Sequence, residues 1–172
     1  MIRKLSILTG AALFSLLTAM AQKEPADYVN PFVGTTNYGT TNPGALCPQG
    51  MMSVTPLNVL GAVPENKDST WWSTPYEFNN KYMTGFAHVN LSGVGCPELG
   101  SLLLMPTTGK LNVDFNTYGS VYSNESATPG YYTNVLDKYN VKCEVTATPR
   151  TSMARFTFPA GQSNILLNLG EG

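Results

Sequence analysis

The clearest pattern of apolar and polar positions lies in the second half of the chain. In "VKCEVTATPR", Val141, Cys143, Val145 and Ala147 alternate with Lys142, Glu144, Thr146 and Thr148. Successive side chains of a strand point to opposite faces, so this period of two predicts a half-buried strand. "SLLLMP" from Ser101 is a continuous apolar run, as expected of a strand covered on both faces. "SMARFTFP" and "SNILLNLG" read as two more strands, with the turn residues "PAGQ" between them. Strands at intervals of roughly ten residues, broken by turn signals, predict a β-sandwich or barrel.

The first half has a different texture. Between Asp27 and Gly100, glycines and prolines recur every few residues, and a helix of useful length does not fit. "MMSVTP" reads as one strand. Residues 58–82 form a polar and aromatic excursion with Trp71-Trp72 in its middle. Long loops of this kind are usually functional or flexible. "GFAHVNLSGVGCPELG" from Gly85 is too rich in glycine for a helix and too polar for a core. It reads as a tight, exposed loop at a binding site.

Composition supports the all-β reading. Charged residues make up 12%, and the chain carries 16 glycines and 12 prolines. A formal net charge of -1 gives no basic surface for nucleic acid. At the N-terminus, Arg3 and Lys4 precede the apolar run "LSILTGAALFSLLTAM" and an Ala19-Met20-Ala21 cleavage site. This reads as a signal peptide over residues 1–21 rather than a membrane span, which needs ~20 apolar residues. No second apolar span follows, so an exported, periplasmic or extracellular chain from Gln22 is expected. Its three cysteines, Cys47, Cys96 and Cys143, allow at most one internal disulfide, and no C-x-x-C spacing suggests zinc.

Candidate chemistry is sparse. His88 is the single histidine, so neither a multi-histidine metal centre nor a histidine relay is available. No nucleophile elbow or phosphate-binding loop occurs. Glycoside hydrolysis needs two carboxylates across a bond, and no pair declares itself; Glu98, beside the glycine-rich stretch, is the best single candidate. Trp71 and Trp72, with Tyr76 and Phe78, can stack on the flat faces of sugars or pin their loop to the body. His88 reads as a structural hydrogen-bonding residue rather than a catalytic one.

Five stretches taken together resemble one family. They are "DYVNPFVGT" from Asp27, "NPGALCPQGMMSVTP" from Asn42, "GFAHVNLSGVGCPELGSLLLMPTTG" from Gly85, "ATPGYYTNVLDKYNVKCEVTATPRTSMARFTFP" from Ala127 and "NILLNLG". In order and spacing they are similar to the N-terminal domain of glycoside hydrolase family 92, the calcium-dependent exo-acting α-mannosidases. The resemblance runs from about Asp27 to the last residue. It implies a β-sandwich of the supersandwich, galactose-mutarotase-like type, over residues 22–172. It also implies a following (α/α)6 catalytic domain that this chain does not contain, so the sandwich is incomplete by itself. In the family the mechanism is inverting, and the acid, base and calcium ligands belong to the barrel. The resemblance therefore implies no catalytic residue and no metal ligand in this chain, and no hydrolysis by it alone.

The partner so implied is a mannose-containing glycan. Phe32, Gly34, His88, Asn90, Gly95 and Cys96 are carried over as candidate substrate contacts, and Trp71 or Trp72 as a boundary of the leaving-group subsite. The sequence departs from the family at three places. The family commonly has His-Thr-His where His88-Val89-Asn90 stands, an acidic residue at Ser101, and Pro-Phe-Gly at Pro48-Gln49-Gly50. Asn keeps hydrogen-bonding ability but takes no proton near neutral pH. A stand-alone carbohydrate-binding module and an inactive relative are the alternative readings.

Overall fold

The computed structural model describes residues 23–36, 39–59, 75–90 and 100–169. Among these residues, ten strands form two five-stranded antiparallel sheets. The first has the order β1 (Ala45–Leu46), β2 (Ser53–Leu57), β4 (Gly85–His88), β5 (Leu102–Thr108), β10 (Ser163–Asn168). The second has the order β3 (Tyr82–Met83), β6 (Ser120–Thr128), β7 (Tyr131–Leu136), β8 (Val141–Ala147), β9 (Ser152–Thr157). A short 3-10 turn, Pro25–Tyr28, precedes them. Of the sandwich and the barrel that the strand spacing allowed, the sandwich forms, as the family resemblance implied. Among the described residues no helix is long and apolar enough to cross a membrane.

The alternating segment behaves as its pattern requires. Val141, Cys143 and Val145 are buried, while Lys142 and Thr146 are exposed. Glu144 departs from the pattern. Its carboxylate accepts from Tyr131 Oη at 2.7 Å and from Arg155 Nε and Nη2 at 2.8 Å each, which covers it on the outer face. The β6–β7 hairpin turns through Pro129-Gly130, where Gly130 takes φ +76. Its inward side joins Leu136 to the polar-ended residues Tyr122, Tyr132 and Asn134, all buried.

Two strands contain proline inside a sheet. Pro56 of β2 pairs with Phe86, but β1 reaches only to Val54 on the other side. Pro106 of β5 pairs with Ile165, while β4 stops at Leu104. Each proline therefore stands where one flanking strand has ended, and a missing N–H is tolerated there.

The main core lies between the sheets. Phe86 of β4 meets Tyr132 of β7 at 6.2 Å between ring centroids and Phe156 of β9 at 6.1 Å. A smaller cluster, Leu57, Val59, Ala87 and Leu103, lies apart from it, with Phe115 packed against both. β10 is an edge strand, and Ile165, Leu167 and Leu169 present an exposed apolar row along it.

Candidate functional site

The stretch from Gly85 is not wholly the exposed loop that its glycines suggested. Gly85–His88 is strand β4, in the middle of its sheet and buried throughout. The physical reason is backbone crowding. Gly85 takes φ +148, and a Cβ there would lie 2.7 Å from the Leu104 carbonyl oxygen. Glycine is the residue that permits so close an approach. The glycine thus marks tight strand packing rather than a loop.

His88 ends the strand, paired with Val54 on one side and Leu102 on the other. It is only 5% exposed, and its Nδ1 has no hydrogen-bond partner among the described residues. Burial pushes the imidazole below its ordinary pKa, against a smaller opposite effect of hydrogen bonding to the Leu102 and Phe86 backbone. At neutral pH it is a neutral ring that exchanges hydrogen bonds rather than a proton source.

Beyond His88 the chain turns sharply. Val89 takes φ +62. Asn90 then accepts from the Gly100 N–H through Oδ1 at 2.8 Å and donates through Nδ2 to the Ala87 carbonyl at 3.0 Å. Its N–H donates to Ser53 Oγ at 2.8 Å. Glu98, Gly95 and Cys96, on the span between these two ends, lie outside the described residues. So do Trp71 and Trp72, and the signal peptide.

Phe32 stands elsewhere. Its ring is 5.6 Å from Phe78, edge-on, and 6.5 Å from Tyr76. Phe78 in turn follows Glu77, whose N–H donates to Asn58 Oδ1 at 2.8 Å, just past the end of β2. His88 pairs near the start of β2 and Phe32 packs near its end, about four residues or ~13 Å apart along a strand. The structure does not bring those two rings together. Gly34, φ +80, is exposed and approaches Thr41, whose Oγ1 would lie 2.9 Å from an added Cβ.

A cavity of about 440 Å³ opens beside Phe32, walled by Phe78, Tyr122, Lys81, Glu125 and the bulge residues Ser123 and Asn124. Glu125 accepts from Tyr76 Oη at 2.8 Å, Tyr132 Oη at 2.7 Å and Lys81 Nζ at 2.9 Å. Lys81 Nζ also stands 4.4 Å above the Phe78 ring. Burial, then the neighbouring carboxylate, raises the Tyr132 phenol far above its usual range, so it stays a donor. Asn58, fully buried, links this cluster to the end of β2 through bonds to Glu77, Asn80 and Tyr122. Sequence reasoning missed Asn58, Glu125 and Tyr132, because a buried polar residue has the same letter as an exposed one. The one signal was the break in alternation at Asn124-Glu125.

A second, more apolar cavity of about 450 Å³ lies between Val29, Pro31, Leu46, Cys47 and Pro129. Cys47 and Cys143 are free thiols, and burial pushes Cys143 up to about 12. No group of three or more His, Cys, Asp or Glu among the described residues could hold a metal ion. The two best-buried carboxylates among the described residues, Glu125 and Glu144, are committed to structural partners.

Comparison with known proteins adds to this geometry. Residues 28–172 match the family model described as the glycosyl hydrolase family 92 N-terminal domain. The structure of the family GH92 α-mannosidase BT3965 from Bacteroides thetaiotaomicron superposes with a TM-score of 0.74 at 35% identity, covering 86% of this chain and 20% of that one. That enzyme is also known in complex with mannoimidazole. The GH92 glycosyl hydrolase ccman5 gives a TM-score of 0.69 at 27% identity, again over 85% of this chain and 20% of the other. An uncharacterized secreted glycosidase of Arthroderma benhamiae is 28% identical over 163 residues, 90% of this chain and 20% of its own length. This chain therefore spans about a fifth of the length of the relatives it matches.

Proposed function

The chain belongs to glycosyl hydrolase family 92 through its N-terminal domain, and on that premise we propose that it is the sandwich portion of an exported, exo-acting α-mannosidase that releases terminal α-linked mannose with inversion. The observation that carries this reading is the 35% identity to an α-mannosidase over 86% of the chain. The mannoimidazole complex of that relative supports a mannose-shaped ligand. The description of the Arthroderma benhamiae relative as secreted supports export, with residues 1–21 as the signal peptide.

In this reading the sandwich supplies contacts and the rest of the enzyme supplies chemistry. His88 offers a neutral imidazole, and Phe32, Gly34, Trp71, Trp72, Gly95 and Cys96 keep the glycan-contact role that the resemblance implies. The general acid, the base and calcium belong to an (α/α)6 domain. Among the described residues no group of three or more His, Cys, Asp or Glu could hold that ion. The row Ile165, Leu167 and Leu169 on β10 supports the partnership, since a run of exposed apolar side chains on one edge suits burial against further protein.

The test is hydrolysis. Purified chain from Gln22 onward, incubated with α-mannobiose and calcium, is expected to release no mannose. Calcium-dependent release by this chain alone would overturn the division of labour.

A further inference from the structure

We infer that the apolar cavity between strand β1 and the β6–β7 hairpin turn is an accessory subsite for the acetamido group of an N-acetylhexosamine, with the Asn42 amide donating to the acetamido carbonyl and the apolar walls taking its methyl. The inference deepens the reading of the chain as the glycan-contacting part of a mannosidase, on which it rests. It names a second sugar unit, held apart from His88.

The cavity measures about 450 Å³, within the ~300–1,000 Å³ of small-molecule sites. Val29, Pro31, Leu46, Pro48, Pro129 and Ala147 supply most of its wall. Val29 and Leu46 are themselves exposed, so the mouth is open to water. The walls are fixed from behind. Thr146 Oγ1 donates to the Gly130 carbonyl at 2.7 Å and pins the hairpin turn. Gly44 packs so closely on β2 that a Cβ there would lie 2.6 Å from the Val54 carbonyl oxygen.

Asn42 lines the same cavity and carries an unspent polar group. It is only 9% exposed. Its Oδ1 accepts twice, from the Gly44 N–H at 3.1 Å and from Thr55 Oγ1 at 3.0 Å, which fixes the orientation of the amide. Its Nδ2 donates to nothing among the described residues. With Oδ1 turned toward Gly44 and Thr55, the free N–H groups are left to the cavity. A covered donor without a protein partner calls for one from elsewhere, and a ligand carbonyl supplies it.

One donor among apolar walls selects the occupant. A plain hexose has hydroxyls all round, and these walls would leave most of them unpaired. A hydrocarbon would leave the Asn42 N–H unpaired. An acetamido group joins one methyl to one carbonyl, and the sugar ring that carries it can stay in water at the open mouth. Thr128, exposed on the rim, offers its hydroxyl to the acetamido N–H.

Cys47, a free and half-buried thiol on the same wall, is a built-in reporter of occupancy. The experiment uses the chain from Gln22 and two glycosides that differ only at C2, methyl N-acetyl-β-glucosaminide and methyl β-glucoside. Iodoacetamide labelling of Cys47 is followed by mass spectrometry of its peptide, and ligand contact by saturation-transfer NMR. At about ten times its Kd the N-acetylglucosaminide should slow Cys47 labelling about tenfold, since only the empty site reacts. The glucoside at the same concentration should leave the rate unchanged. The acetyl methyl should give the strongest saturation-transfer signal of the ligand. Asn42→Asp keeps an acceptor for Gly44 and Thr55 but replaces the donor with an oxygen, and should weaken binding about tenfold. Thr128→Trp fills the mouth from an exposed position and should abolish the methyl signal; it carries the test if Asn42→Asp does not fold. Cys143, fully buried, should stay unlabelled in every folded variant. Equal protection of Cys47 by both glycosides or by neither, a methyl signal no stronger than the ring protons, or unchanged affinity in folded Asn42→Asp or Thr128→Trp would overturn the proposal. Methyl α-mannoside, titrated separately against His88, keeps the two readings distinct. A response at His88 with Cys47 unprotected overturns the subsite alone, and protection of Cys47 by the N-acetylglucosaminide with no response to mannoside overturns the mannosyl reading alone.

Discussion

Replacing Asn58 should show how far the first sheet depends on one buried amide. Asn58 is fully buried at the end of β2. Its Oδ1 accepts from the Glu77 N–H at 2.8 Å, and its Nδ2 reaches the Glu77 carbonyl at 2.9 Å, the Asn80 carbonyl at 3.0 Å and Tyr122 Oη at 2.9 Å. In Asn58→Ala the Asn80 carbonyl keeps the Tyr122 hydroxyl, which donates to it at 2.8 Å. The Glu77 carbonyl likewise keeps the Asn80 N–H, at 3.1 Å, and only the Glu77 N–H loses its partner. A buried polar group left unpaired costs ~1–3 kcal/mol. Glu77 is only half-buried and water can reach part of it, which places the expectation in the lower half, ~1–2 kcal/mol. That is a large share of the ~5–15 kcal/mol of a typical domain. Asn58→Asp sharpens the argument. It keeps an acceptor for Glu77 N–H but turns a second oxygen toward two carbonyls, where only a protonated carboxyl can donate. Burial and these carbonyls raise its pKa in the folded state above the unfolded value, so its penalty grows as pH rises through the unfolded carboxylate range and shrinks in acid. Urea unfolding followed by fluorescence at pH 7 and pH 4 measures both variants. An Asn58→Ala change below about 0.5 kcal/mol, the usual limit for innocuous surface changes, would refute the reasoning. So would an Asn58→Asp penalty that does not fall with pH.

Three further outcomes follow from the same geometry. The Arg155 guanidinium, then the Tyr131 hydroxyl and Lys142, hold the Glu144 carboxyl at about 2, so its contribution is complete above the ordinary carboxylate range and is lost as pH falls toward 2; Glu144→Gln should destabilise at pH 7, and the gap from wild type should narrow in urea titrations between pH 4.5 and 2.5, a gap constant with pH counting against the pairing. Cys143 should resist a thiol reagent at pH 8 in the native chain while half-buried Cys47 reacts, and mass spectrometry of labelled peptides with Cys143 modified first would contradict its burial. Gly85→Ala should cost at least ~2 kcal/mol in a thermal or urea melt, because its Cβ would press on the Leu104 carbonyl and Leu103 side chain in a backbone conformation that suits glycine; a melt equal to wild type would refute that.

The strands of the second half were legible because their apolar letters repeat at the period of a strand. Val141, Cys143 and Val145 announce a face, and the structure buries them. The β6–β7 hairpin was not legible in the same way, because its inward positions mix Leu136 with the polar-ended Tyr122, Tyr132 and Asn134, which blurs the apolar alternation. Gly85–His88 was misread for the opposite reason. Glycine there serves close strand packing, and one letter stands for both uses. The candidate site was legible only through its resemblance to a family. The residues so named fall in separate places, with Phe32 in an aromatic cluster and His88 at a strand end. The Asn58–Glu125 network left almost no trace, since the partners that satisfy a buried polar group lie far away in sequence.

The central claim is that this sandwich contacts a mannosyl ligand and leaves its hydrolysis to the rest of a mannosidase. Titration of methyl α-mannoside and methyl α-glucoside into isotope-labelled chain, followed by NMR, tests it most directly. The account predicts weak, saturable binding of the mannoside with a Kd of order 1–10 mM, which is about 3–4 kcal/mol, since in this reading the sandwich supplies only one wall of the site. It predicts a clear preference over the glucoside, with shifts centred on His88 and Gly100. A folded chain that responds to neither sugar, or to both equally, would contradict it.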